Sequence, residues 1–219
     1  MASSQTSKYD YLLKYIIIGD SNVGKSNILV QYIYGRFNSE YLPTIGVEFG
    51  SKNVKIRDKY YRVQIWDTAG QEFYKSITRA YYKNSACALI VYDISSKETF
   101  DNVSSWIEDC SKNASNTINM VLIGNKSDLK DKREVNYEEG HELAEKFGIK
   151  FYETSAKTGE NIQEIFADSV NDIATKLDEG YYDLQKQDCG IKQGIIDRNI
   201  SIERINSEIS SKHKKKCCK

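Results

Sequence analysis

Residues 11–26 read YLLKYIIIGDSNVGKS. An apolar, β-branched run stops at Gly19, and the loop after it fits G-x-x-x-x-G-K-[ST], ending in Lys25 and Ser26. Apolar positions between Lys25 and Tyr34 suit a helix, so the order is strand, glycine loop, helix. In that order the loop N–H groups and the helix N-terminus face one point, an arrangement suited to phosphate. Lys25 adds a point charge and the Ser26 hydroxyl is placed to reach Mg²⁺. Ser21, Asn22, Val23, Gly24, Lys25 and Ser26 are therefore the candidate phosphate-binding residues. The motif alone implies a nucleoside triphosphate without identifying its base.

Working outward, two strand-like stretches, roughly residues 48–57 and 61–67, flank a polar turn and read as a hairpin. Residues 86–92 (ACALIVY) and 120–124 (MVLIG) are continuous apolar runs, typical of parallel strands covered on both faces. Between them, Phe100, Val103 and Ile107 recur at helical spacing within residues 98–110. A second helix is expected over 137–147, ended by Gly148, and a last strand over 150–154. Asn161 is a candidate cap for a helix whose stripe is Ile162, Ile165, Phe166, Val170, Ile173 and Leu177. The alternation predicts an α/β domain: a mostly parallel central sheet with one antiparallel edge strand, helices on both faces, and ligands beyond the carboxyl ends of the strands. The domain is expected to span residues 8–178. Residues 179–219, where the apolar pattern dissolves, read as a flexible tail.

The base is read from two short segments. Asn125, Lys126 and Asp128 follow the strand at 120–124, beside the phosphate loop. A carboxylate such as Asp128 accepts from both the N1–H and the exocyclic amine of guanine, whereas adenine has no N1 donor and leaves the charge unpaired. Ser155, Ala156 and Lys157 follow the next strand and form a second wall, with the Ala156 N–H available to the guanine O6.

The 219 residues balance 31 Lys/Arg against 31 Asp/Glu, so no global field argues for nucleic acid. The basic charge collects at one end: the last eight residues hold five Lys and no acid. Five scattered cysteines without paired spacing argue against a disulfide framework or a structural zinc. No segment approaches the roughly 18 consecutive apolar residues of a membrane span, so membrane attachment would need a covalent anchor.

Taken together, the phosphate loop, Pro43-Thr44, residues 67–72 (DTAGQE), Asn125-Lys126-x-Asp128 and Ser155-Ala156-Lys157 resemble the Ras superfamily over roughly residues 10–177. The resemblance implies a GTPase fold and an Mg²⁺-dependent switch. It implies that Phe37 packs against the guanine, that Ser26, Thr44 and Asp67 hold Mg²⁺, that the Gly70 N–H meets the γ-phosphate, and that Gln71 orients the attacking water. Residues 45–49 (IGVEF), 76–79 (SITR), Tyr81-Tyr82 and 91–94 (VYDI) are similar to the Rab family. Residues 11–20, 44–50 and 124–129 are closest to its Rab-two subgroup. Ile45, Phe49, Trp66 and Tyr81 are then expected to form the surface that effectors read. Cys217 and Cys218, beside Lys214-Lys215-Lys216, resemble the Rab site of double geranylgeranylation and are not a C-a-a-X box. The implied partners are GTP or GDP, an exchange factor, a GTPase-activating protein, a GDP-dissociation inhibitor, the prenylation machinery and effectors. The implied location is the cytoplasmic face of Golgi or endoplasmic reticulum membranes with a cytosolic pool. Against this stand an ATP-dependent P-loop enzyme, a GTP-holding module that does not hydrolyse, and nucleic-acid binding through the lysine tail. No motif offers an arginine in cis, so intrinsic turnover is expected to be slow.

Overall fold

The computed structural model describes residues 9–39, 44, 46–70, 80–186 and 188–194. The apolar run that opens the chain forms β1 (Tyr11–Ile18), followed by α1 (Lys25–Tyr34). The hairpin is β2 (Val47–Ile56) and β3 (Lys59–Thr68), closed by Arg57 and Asp58. Then come β4 (Cys87–Asp93), α2 (Lys97–Asp101), α3 (Val103–Asn113) and β5 (Asn119–Asn125). A short 3₁₀ turn (Lys130–Lys132) precedes α4 (Tyr137–Phe147), β6 (Lys150–Glu153), α5 (Ile162–Asp178) and β7 (Ile191–Gln193).

The sheet order is β2-β3-β1-β4-β5-β6, parallel except for β2 at one edge, with β7 pairing antiparallel to part of β1. Every residue of β4 is buried, because the sheet is covered on both faces. One core joins Leu13, Tyr15, Ile17, Ile65 and Val121 to Ile28 of α1 and to Phe166, Val170 and Ile173 of α5. The other joins Ile16, Ile18, Ile90 and Leu122 to Val103, Trp106 and Ile107 of α3 and Ala144 of α4. The expected stripe on α5 therefore faces a core. In register, Ile17 lies opposite Asp67, Asp93 opposite Asn125, and Gly124 opposite Glu153. The carboxyl ends of five strands thus meet along one edge, and the loops carrying the motifs meet with them.

Three expectations are corrected. The helix read over 98–110 is two helices meeting at Asn102. Asn161 does not cap α5 with its side chain; it sits at φ 57°, and its amide donates to the Glu153 carbonyl at 2.8 Å. The chain beyond Asp178 does not all leave the domain: Tyr182, Cys189 and Ile191 are buried in the core that holds Leu13 and Tyr15. The reason lies in β1. Its pairing with β4 begins only at Tyr15, so residues 11–13 would present an open edge on that side, and β7 pairs with them. Lys14 N–H donates to the Gly190 carbonyl at 2.9 Å, and Gly194 N–H to that of Asp10 at 2.7 Å.

If β7 is part of the domain, Ile191→Ala lowers stability by about 2–4 kcal/mol in denaturant titration, whereas Lys192→Ala on the exposed side changes it by less than about 0.5 kcal/mol.

Candidate nucleotide site

The loop after β1 turns into α1 at Gly24, whose φ is 95°. A Cβ there would lie 2.4 Å from Asn125 Nδ2, so both conformation and space require glycine. Lys25, the first residue of α1, folds back over the loop, and its Nζ donates to the carbonyls of Gly19 (2.9 Å) and Asp20 (2.6 Å). Burial lowers its pKa to about 8, although Asp67 and Asp20 pull the other way. Ser26 Oγ donates a short hydrogen bond to Asp67 Oδ2 and lies 2.8 Å from Thr44 Oγ1. Asp67 is fully buried at the end of β3, and its Oδ1 takes no hydrogen bond from any described residue. Burial raises its pKa to about 6, against the hydrogen bond from Ser26 and the charge of Lys25. Two hydroxyls and a partly unsatisfied carboxylate thus converge beside the lysine, a set of hard oxygen donors that fits a small divalent cation.

On the other side, Asn125 ends β5 and is buried. Its Nδ2 donates to the Val23 carbonyl at 2.8 Å, while its Oδ1 accepts from Thr154 Oγ1 (3.2 Å) and Ala156 N–H (3.1 Å). The Ala156 N–H, expected to face a base oxygen, therefore donates to Asn125 in this structure. Lys126 adopts φ 68° and pairs with Asp93 Oδ2 at 2.6 Å. Asp128 Oδ1 accepts from Ser155 Oγ at 2.6 Å, and Oδ2 lies 3.9 Å from Lys157 Nζ. A carboxylate has about four acceptor positions, so Asp128 retains capacity toward the pocket.

These groups line one cavity of about 560 Å³. Of the predicted residues, Ser21, Asn22, Gly24, Lys25, Ser26, Phe37, Thr44, Gly70, Asn125, Lys126, Asp128, Ala156 and Lys157 line it. Val23 and Ser155 are buried behind the wall, and Asp67 reaches the cavity's edge through Ser26. Asn27, Val30, Asn38, Ser39, Glu48 and Leu129 also line it and were not read from the sequence; four of them lie within two residues of candidates for this site, but nothing local marks Val30 or Glu48.

The family model for the Ras family matches residues 14–175. A curated relative, the Ras-related protein Rab-2B of Dictyostelium discoideum, is 51% identical over 176 residues, covering 80% of this chain and 86% of its own.

The chain belongs to the Ras family.

Within the family it is a Rab GTPase similar to Rab-two proteins. Away from this Rab's nucleotide pocket, Phe49, Trp66 and Tyr81 form a ring cluster with centroids 5.1 and 5.2 Å apart, Phe49 being half exposed. Ile45, Gln71, Cys217 and Cys218 lie outside the described residues.

The raised pKa of Asp67 gives a stability prediction for the ligand-free protein. A carboxyl whose folded value lies above its unfolded one contributes stability at low pH that is lost as pH rises through about 6. Chemical denaturation of the nucleotide-free, chelated Rab between pH 4 and 7 should show a decline of about 2–3 kcal/mol that Asp67→Asn lacks.

Proposed function

We propose that the cavity binds GTP or GDP with Mg²⁺, that the chain hydrolyses GTP slowly, and that the GTP form recruits effectors on an endomembrane for vesicle-mediated transport. The observation that carries this reading is the polarity of the cavity. A buried lysine at a helix N-terminus lines the same cavity as the Asp128 carboxylate.

The N–H groups of residues 21–26 and Lys25 bind the phosphates, whose charge offsets the penalty of burying the ammonium. Ser26, Thr44 and Asp67 would hold Mg²⁺, which would neutralise charge on the β- and γ-phosphates. Asp128 accepts from the guanine edge, and Ser155 and Asn125 hold the walls that position it. Gln71 orients the attacking water, and Gly70 gives its N–H to the γ-phosphate. Contacts that Thr44 and Gly70 make only while that phosphate is present make the cycle a switch.

Membrane attachment follows from Cys217 and Cys218. Two prenyl chains suffice for stable anchoring, since each buried CH₂ contributes about 0.8 kcal/mol, and the neighbouring lysines add about 1 kcal/mol each at an anionic surface. By likeness to Rab proteins, the membrane is that of the Golgi or endoplasmic reticulum. The regulators are an exchange factor, a GTPase-activating protein, a GDP-dissociation inhibitor and the prenylation enzymes. The cluster of Phe49, Trp66 and Tyr81, with Ile45, is the effector surface.

The test is nucleotide affinity in Mg²⁺ for GTP, GDP, xanthosine triphosphate and ATP. Wild type should prefer GTP over ATP by at least about 100-fold, and Asp128→Asn should lose GTP affinity to a similar degree while gaining xanthine nucleotide. Equal binding of ATP and GTP, with Asp128→Asn indifferent, would overturn the reading.

A further inference from the structure

Asp20 is the second residue of the phosphate loop, yet it does not line the cavity as Ser21, Asn22 and Gly24 do. Its carboxylate turns toward the helices on the other side of β1. Trp106 Nε1 donates to Oδ1 at 2.7 Å, and Asn102 Nδ2 donates to Oδ2 at 2.8 Å. The break between α2 and α3 falls at Asn102, and Trp106 follows one turn later, so both donors lie on one helical face. Trp106 is otherwise buried in the core with Val103 and Ile107, which fixes its ring.

The backbone of the same residue meets two other parts of the site. The Asp20 carbonyl accepts from Lys25 Nζ at 2.6 Å. Gly70 packs on the same peptide: a Cβ there would fall 2.4 Å from the Asp20 carbonyl carbon, 2.5 Å from its oxygen and 2.5 Å from Lys25 Nζ. One residue therefore touches the lysine of the phosphate loop, Gly70 and α3.

We propose that Asp20, Asn102 and Trp106 form a positioning clamp that holds the phosphate loop for guanine nucleotide and slows nucleotide release. The clamp rests on the nucleotide-binding reading above and adds residues to it that act through the loop rather than by touching the ligand. A carboxylate in a loop that receives a polyphosphate is a hazard, because like charges at short range repel strongly where water is scarce. Two neutral donors, one at the start of α3 and one on its first turn, remove it by holding the charge on the far side, and hydrogen bonds to an ionised acceptor are the stronger kind. With both oxygens engaged, the peptide that Lys25 and Gly70 share is held in place.

The test is release of methylanthraniloyl-GDP from the full chain into excess GDP with Mg²⁺. Trp106→Phe keeps an aromatic ring of smaller size and loses the N–H, and Asn102→Ala changes an exposed side chain outside the core. Each should speed release about tenfold, as expected for losing one charge-assisted hydrogen bond. Asp20→Ala should speed release as well, and adding Trp106→Phe to it should change nothing further, since the partner is already gone. In a Trp66→Phe chain, where Trp106 is the one remaining tryptophan, its emission should change when GDP leaves, and Asp20→Ala should abolish that change. Release rates unmoved by Trp106→Phe and Asn102→Ala would overturn the clamp while leaving nucleotide binding intact. So would equal effects of Trp106→Phe with and without Asp20, which would make Trp106 core filling only. A wild type that takes up no labelled GDP would sink the nucleotide reading and the clamp with it.

Discussion

The side-chain amide of Asn125 is the contact on which the site's geometry depends. It lies at the end of a strand buried on both faces, and it joins the phosphate loop at Val23 to the segment after β6, at Thr154 and Ala156. Each of these groups is removed from water, so an unmade bond would leave a buried polar atom at a cost of about 1–3 kcal/mol. Three loops that are distant in sequence are thereby held at one separation. Gly24 belongs to the same constraint, because only a residue without Cβ lets the phosphate loop approach that amide.

Around this joint the pocket stores charge under unfavourable conditions. Lys25 and Asp67 are both buried, and burial is the largest influence on each, lowering one pKa and raising the other. Their mutual attraction offsets only part of that penalty. Groups in this state gain most when an opposite charge arrives, which is how a ligand of phosphate and divalent cation would be favoured over neutral occupants. The same architecture extends outward. Lys126 is held by Asp93 of the neighbouring strand, Asp128 by Ser155, and Ser127 by Glu160 at 2.8 Å, so the cavity wall that carries Asp128 is braced from behind. Specificity for a base edge requires such bracing, because a loose carboxylate would adapt to the wrong donor pattern.

Much of this was legible in the amino-acid order. The phosphate loop, the two base-pocket segments and the apolar strands declare themselves locally, since strand ends and glycine turns are short-range chemistry. Asn125, Asp128 and Lys25 could be assigned to one site before any fold was known, because parallel strands bring their carboxyl ends to one edge, whereas Thr44 was placed there only by the resemblance to the Ras superfamily. The partner groups were not legible. Nothing near Asp20 points to Trp106, and nothing near Lys126 points to Asp93.

The clearest divide lies at β7 and at the Asp20 contacts. The sequence by itself determined the fold class, the motifs that line the cavity and the family, because these depend on residue type and spacing within short windows. The tertiary structure alone decided that Tyr182, Cys189 and Ile191 return to the core, since a three-residue strand has too few turns of any period to be recognised and is defined by the gap on β1 that it fills. It alone decided that Asp20 turns away from the cavity, since the donors that hold it are 82 and 86 residues away in the chain. Pairings at such separations are set by how the sheet is covered, and no local pattern carries them.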